Sequence, residues 1–376
     1  MSPQLRIIFL GLSITSSWGN GHATTYRSLL GALARRGHDV SFLERDTPWY
    51  AKHRDLRAMP EVRIALYDSI ADLRDRFGSE IGNADAVVVG SYVPEALEIG
   101  SWITRQARGV VAFYDIDTPI TLAKLEAGEE CEYVSRALLE RYHLYLSFSG
   151  GPALRRLEAL GAACALPLFC AVDPQMHHPI ALEPPRWDLG YLGTYAEDRQ
   201  AALNELMLDV ADRIGDLGRF AVAGPLYPPE IAWPANVERI EHLPPAEHSR
   251  FYNRQRFTLN LTRADMKRLG YSPSVRLFEA AACGATIISD VWEGLSALFE
   301  PFHEMLPATS GHAVESYLRD LPESTRLEIG ARARRRVLAS HTADHRAETF
   351  ERYVSPQSDV EVATDASVSV QRQRPH

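Results

Sequence analysis

Short runs of consecutive apolar residues alternate, along the first half of the chain, with stretches whose apolar positions recur every three or four residues. Residues 6–12 (RIIFLGL) form one run, DVSFL at 39–43 another, and Ala86–Gly90, Gly109–Tyr114 and Leu144–Phe148 three more. Apolar runs of this length, without polar alternation, predict strands covered on both faces. Between the first two, Tyr26, Leu29, Leu30 and Leu33 mark one stripe of a helix from about Ala23 to Arg36, closed by Gly37. Strand, helix, strand in this order predicts a parallel sheet with helices on both faces. Residues 173–187 (DPQMHHPIALEPPRW), crowded with Pro and His, read as a linker. The pattern then restarts with DLGYLGT (188–194), a helix near 197–214, RFAVAG (219–224), a short strand near 237–240 and FTLNL (257–261).

The segment 272–290 (SPSVRLFEAAACGATIISD) is the most informative. Ser272 reads as a helix cap with Pro273 at the first helical position, Gly284 ends the helix, and a buried strand, Thr286 to Ser289, ends at Asp290. Arg276 and Glu279 are the two charges of that helix and share a face. Such a pair is either a surface ion pair or the lining of a cleft that holds a polar, anionic ligand. From about 322 the chain reads as helical, and a helix near 343–353 is expected to cross back onto the first domain. The expected architecture is α/β: two Rossmann-like, doubly wound domains at 1–178 and 179–340 facing across a cleft, a crossing helix at 341–354, and a disordered tail at 355–376.

Composition narrows the function. At 376 residues the chain exceeds the size at which one core usually stops growing. A net charge of −9 argues against a general nucleic-acid binder. Cys131, Cys164, Cys170 and Cys283 show no finger or CxxC spacing, which points to a reducing compartment and a cytoplasmic protein. RIIFLGLSI runs straight into a helix start without a clear cleavage site, so it reads as a strand and not a signal peptide. No run approaches the ~20 apolar residues of a membrane span. Lysine occurs only at 52, 124 and 267, which draws attention to Lys267.

Candidate chemistry gathers at strand ends. In GNGH, Gly19, Asn20 and Gly21 let the backbone approach a ligand at a helix start, and His22 is a candidate base or a simple cap. This is not a GxGxxG fingerprint, and only Glu44 or Asp46 could serve a nicotinamide ribose. YDID (114–117) offers Asp115 and Asp117, either as a DxD metal pair or as carboxylates for acceptor hydroxyls; tandem domains favour the latter, and no metal is expected. Donor-side candidates are Gly193, Tyr195 and Arg199 in LGTYAEDR, Gly224 and Pro225 in VAGP, and Asn260, Ser274, Arg276 and Glu279 in the last segment. The basic loop NLTRADMKRLGYSPSVR (260–276) carries Arg263, Lys267, Arg268 and Arg276 before a helix start, which suits a diphosphate. Trp18, Trp49 and Tyr50 either stack on a sugar or fill a core.

At SSWGNGHATTYRSLL, FYDIDTP, YLSFSGGP, DLGYLGTYAEDRQ, LNLTRADMKRLGYSPSVRLFEAAACG and ISDVWEGL the chain resembles the CgeB-like glycosyltransferases of the two-domain GT-B fold, over roughly residues 6–320. The resemblance implies transfer of a sugar from a nucleotide-sugar co-substrate to an acceptor, with no cofactor and no essential metal. It implies that Glu279 binds the donor ribose, that Arg263 and Lys267 steady the departing diphosphate, and that Gly19, Asn20 and Gly21 contact donor phosphate and acceptor. Relatives place a first glutamate eight positions before the second, where this chain has Tyr271. Two other readings compete: a nucleotide-sugar epimerase or phosphorylase on the same fold, and a non-catalytic sugar-nucleotide-binding protein. Nothing in the chain identifies the donor sugar, nucleobase, acceptor, stereochemical outcome or oligomeric state.

Overall fold

Seven strands lie in the first half: β1 (Arg6–Gly11), β2 (Asp39–Arg45), β3 (Arg63–Tyr67), β4 (Ala86–Gly90), β5 (Val110–Asp115), β6 (Leu144–Ser147) and β7 (Ala165–Pro167). Six follow: β8 (Trp187–Leu192), β9 (Phe220–Ala223), β10 (Val237–Ile240), β11 (Gln255–Asn260), β12 (Thr286–Asp290) and β13 (Leu306–Ala308). The computed structural model describes residues 3–180 and 184–355. The first set forms one parallel sheet in the order β3-β2-β1-β4-β5-β6-β7, and the second forms another in the order β10-β9-β8-β11-β12-β13. In β1, Ile7 and Phe9 enter one apolar layer while Ile8 and Leu10 enter another, which is why the strand is apolar throughout. Phe9 lies level with Phe42 of β2 and Val88 of β4.

Each sheet reverses its strand order once, between β1 and β4 and between β8 and β11. Loops leaving the carboxyl ends of these strands run in opposite directions and open a crevice there. The GNGH loop follows β1, LGTYAEDR follows β8 and the basic loop follows β11, so the topology alone brings the expected motifs to the crevices.

Several elements differ from the sequence expectation. Strands β3, β7 and β13 lack a long apolar run; β7 and β13 are three residues each and all three are sheet edges. The helix expected at 197–214 is interrupted by a π-helical turn at Asn204–Leu208. The helix expected to start at Pro273 spans Val275–Ala282 and is capped by Ser274, whose hydroxyl accepts from the Arg276 N–H. Ser272 is instead drawn across the domain boundary: it shares a hydrogen bond with Ser149 at 2.6 Å and donates to the Gly270 carbonyl at 2.8 Å.

Tyr271 occupies the same boundary. Its carbonyl accepts from Gly150 N–H at 2.9 Å and its N–H donates to Glu293 O at 2.7 Å. Its ring lies against Gly151 of the first lobe and Gly294 of the second, so close that a Cβ on either glycine would sit 2.5–2.6 Å from ring atoms. The position at which the resemblance implies a carboxylate is here a wedge between lobes.

The helix Ala343–Val354 returns to the first lobe and packs on the helix His22–Arg35, with Phe350 5.6 Å from Phe9. Leu5 N–H donates to His38 Nδ1, which leaves the Nε2 proton for Glu351 at 2.9 Å. Glu351 also receives Arg36 Nη2 at 2.8 Å. The chain passes to the second lobe through residues 168–186 and returns at 341–342. These two passages lie side by side: Val172 bridges Thr342 in parallel, and Ala343 N–H donates to Val172 O at 2.8 Å. Of the tail expected to be disordered, residues 356–376 lie outside the described residues.

The hydrogen bond from Arg36, reinforced by His38, outweighs burial and holds the Glu351 carboxyl below its ordinary range. A depressed carboxylate contributes stability above its unfolded pKa and loses it as pH falls through the folded value. Glu351→Gln is therefore expected to cost about 1–3 kcal/mol at neutral pH, and the gap to the parent should close below about pH 4. Urea denaturation across pH reads both; a gap independent of pH would contradict the assignment.

Candidate active site

The two crevices face one another and enclose a cleft of about 900 Å³. On the first lobe its wall is the loop after β1. That loop is ordered by Glu44, a fully buried carboxylate on β2. Glu44 accepts from Ser13 Oγ (2.8 Å), Ile14 N–H (2.8 Å), Thr15 N–H (3.1 Å) and Thr15 Oγ1 (2.6 Å). With every lone pair taken by its own lobe, Glu44 is not placed to bind a ribose. Asn20 staples the loop, donating to Ser13 O at 2.9 Å and accepting from the His22 N–H at 3.2 Å. Gly19 has φ +61, and nothing lies within 4 Å of a Cβ built on Gly19 or Gly21, so both present bare backbone to the cleft.

His22 opens the helix behind this loop, its ring edge-on to Phe148 at 5.8 Å. Burial lowers its pKa; Asp117 opposes that shift and Arg263, from the other lobe, adds to it. The imidazole is thus neutral near pH 7 and able to take a proton. Asp117 also lines the cleft, accepting from Tyr92 Oη at 2.8 Å and standing 3.7 Å from Arg263 Nη1.

Asp115 departs from the expectation of a cleft carboxylate. It is fully buried behind Asp117 and accepts from Tyr145 Oη, Thr121 Oγ1 (3.1 Å) and the Asp117 N–H (3.1 Å). Burial pushes its pKa up to about 6, against the pull of these donors. Asp115 ends β5, whereas Asp117 lies beyond the strand at the cap of the helix Thr118–Ala127: Asp117 faces the ligand space, and Asp115 supports the turn that aims it.

On the second lobe, Gly193, Tyr195, Arg199, Gly224, Pro225, Arg263, Ser274, Arg276 and Glu279 all line the cleft. Gly224 (φ +145) and Gly193 touch so closely that a Cβ on Gly224 would lie 2.0 Å from the Gly193 carbonyl. Arg263 follows β11, with Asp117 at 3.7 Å and Asp198 at 3.6 Å, both beyond hydrogen-bond reach. Its Nε has no hydrogen-bond partner among the described residues. The start of the helix Val275–Ala282 points into the same space and adds its free N–H groups.

Two donor-side candidates lie elsewhere. Lys267 sits on the helix Ala264–Leu269 and pairs with buried Asp290 at 3.4 Å, one turn away from the wall that Arg263 occupies. Asn260 is fully buried, donating to Ser289 Oγ at 2.9 Å and accepting from Arg276 Nη1 at 2.9 Å, so its role is to hold Arg276. Arg276 and Glu279, expected to act as a pair, part company. Arg276 turns to the ends of β8 and β11, whereas Glu279 turns to Tyr252, His248 and His177. Burial alone would raise the Glu279 pKa, but the two histidines and the Tyr252 hydroxyl bring it down to about 2.

Sequence reasoning missed His242, His248, Tyr252 and Asp198, all on the cleft wall. The signal was present: β10 is followed by Leu-Pro-Pro, and Pro245 opens a helix whose first two turns carry His248 and Tyr252.

Residues 199–352 match the family described as glycosyl transferase-like. No sequence among curated proteins matches the chain. Among solved structures, the fold is similar to sucrose-phosphate synthase from Thermosynechococcus elongatus (TM-score 0.68, 14% identity, 93% of this chain and 98% of that one). It is also similar to Anabaena HepE in complex with UDP and glucose (TM-score 0.66, 10% identity, 92% and 98%). An alpha-glucosyltransferase in complex with UDP is a further likeness (TM-score 0.68, 10% identity, 93% and 99%). The second lobe thus matches a glycosyl transferase-like family, and the chain as a whole has the GT-B fold of these glycosyltransferase structures.

Proposed function

We propose that the chain moves a sugar from a nucleoside-diphosphate sugar to an acceptor hydroxyl, in the manner of the CgeB-like enzymes its motifs resemble. One observation carries the reading: Arg263 and the start of the helix Val275–Ala282 face His22 and Asp117 across a single cleft. Breaking a sugar–phosphate bond builds negative charge on the diphosphate, and a fixed guanidinium with helix N–H groups is suited to offset it. In this reading no metal bridges the phosphates and no cofactor takes part. Glu279, ionised and on the wall, accepts from the donor ribose. Gly193 and Gly224 let the backbone close on the nucleotide. Asp117 orients the acceptor hydroxyl, and neutral His22 receives its proton as the new bond forms. The support from relatives is that HepE and the alpha-glucosyltransferase were solved with UDP.

Nucleoside diphosphates, tried one by one, are expected to raise the melting temperature of the full chain. Arg263→Ala should remove most of that rise and lower kcat by about 10²–10³. A broad panel of nucleotide sugars that neither binds nor turns over would sink the reading.

His22 must be neutral to act, and burial sets its pKa below the ordinary value. Activity should therefore climb with pH along an acid limb lying below about pH 6.5 and stay level above it. His22→Ala should erase that limb and lower kcat by about 10²–10⁴ with little change in donor KM. An unchanged limb in the variant would assign the titration to another group.

A further inference from the structure

We propose that His177, His248 and Glu279 form a binding site for a divalent first-row transition metal, zinc above all, at the floor of the cleft. The three residues come from three separate elements. His177 lies in the passage between lobes, His248 on the helix Pro245–Asn253 and Glu279 on the helix Val275–Ala282. One ligand atom from each lies within 4.8 Å of the other two.

Hydrogen bonding fixes which atoms are available. His248 Nε2 is 3.2 Å from the Leu243 carbonyl, which only accepts, so the ring proton sits on Nε2. Nδ1 of the neutral ring is then a bare lone pair, and it faces Glu279 Oε2 at 3.5 Å, another acceptor. His177 is 3% exposed, yet neither of its ring nitrogens has a hydrogen-bond partner among the described residues; Nε2 lies 3.7 Å from Glu279 Oε1. The low Glu279 pKa belongs to the state in which positive charge sits on these rings; with both rings neutral, lone pairs converge on the carboxylate inside the protein. Left so, they repel one another and lack compensation for burial. A cation held between them resolves both faults at once.

The geometry suits a metal. Tetrahedral zinc with bonds near 2.0–2.1 Å needs ligand atoms about 3.4 Å apart. His248 Nδ1 lies 3.5 Å from Glu279 Oε2 and His177 Nε2 lies 3.7 Å from Glu279 Oε1, each within a few tenths of that though to different oxygens. The whole set fits within 4.8 Å, so a metal would draw the rings slightly together. Two imidazoles and one carboxylate favour zinc and its neighbours over magnesium or calcium. The bond from His248 to Leu243 O is the outer contact that orients a metal-bound imidazole, and Tyr252 Oη, donating to Glu279 Oε2 at 3.1 Å, does the same for the carboxylate. His248 and Glu279 both border the cleft, so the fourth position opens onto ligand space. Sequence spacing hides the set, because its members are 71 and 31 residues apart (248 − 177 and 279 − 248). The inference uses the same carboxylate as the donor reading but does not depend on it.

The test uses the full chain, stripped with a chelator and returned to metal-free buffer. Zinc is titrated in competition with a coloured chelator, and cobalt(II) is followed by its visible absorption. About one tight equivalent per chain is expected, with cobalt bands typical of low coordination number. His177→Ala and His248→Ala should each weaken zinc at least tenfold. Circular dichroism checks their folding, His177→Gln replaces an unfolded variant, and the cobalt spectrum of the parent decides if none folds. No tight equivalent in the parent, or affinity unmoved by either substitution in a folded variant, overturns the site. Melting curves of the parent with UDP separate the two readings. A response to UDP without metal binding sinks the metal alone, and metal binding without response to any nucleotide sinks the donor reading alone.

Discussion

A buried guanidinium whose hydrogen-bond partners among the described residues are all neutral organises the second lobe. Arg276 is 5% exposed and donates to Leu192 O at 2.5 Å, Asn260 Oδ1 at 2.9 Å and Leu261 O at 3.3 Å. Its guanidinium carbon lies 4.7 Å above the Tyr191 ring. These contacts tie together the carboxyl ends of β8 and β11, the adjacent strands at which the sheet reverses. Removing a cation from water costs several kcal/mol, which charge-assisted hydrogen bonds and the ring beneath it offset. Carbonyl groups do not cancel the charge, so the wall keeps a positive potential where an anion would sit. The space that this side chain fills also explains why position 193 is glycine: a Cβ there would lie 2.8 Å from Arg276 Nη2.

The first lobe uses the opposite sign. Glu44 and Asp115 are buried acids that ligate no substrate but gather the N–H and O–H groups of the loops around them. Each fixes a turn whose next polar residue faces the cleft: Asn20 and His22 after the first, Asp117 after the second. Positive groups on one wall and negative or neutral ones on the other meet at Arg263, which spans the gap to Asp117 without closing it.

Much of this was legible from residue order. Parallel strands buried on both faces leave unbroken apolar runs, so DVSFL and Ala86–Gly90 were plain, as was the return of the last helix to the first lobe. Edge strands are short and half covered, so β7 and β13 carried no such mark. Strand-end motifs could be assigned to the cleft because topology puts them there, and most did line it. Rotation about the chain could not be assigned. Whether Asp115 or Asp117 faces the ligand, or Arg263 rather than Lys267, depends on where a strand gives way to a turn or on one turn of helix, and on partners such as Tyr145 and Asp290 that lie far along the sequence. The convergence of His177, His248 and Glu279 has the same origin, since only tertiary packing sets them side by side.

The paired passages at Val172 and Thr342 have a mechanical consequence. Two adjacent, hydrogen-bonded threads carry the chain between the lobes along one line, like the spine of a book. The Tyr271 ring, caught between Gly151 and Gly294, joins the two lobes a second time. The return thread also hands the helix Ala343–Val354 to the first lobe, so that helix belongs to the half that carries His22, not to the half that carries Arg263.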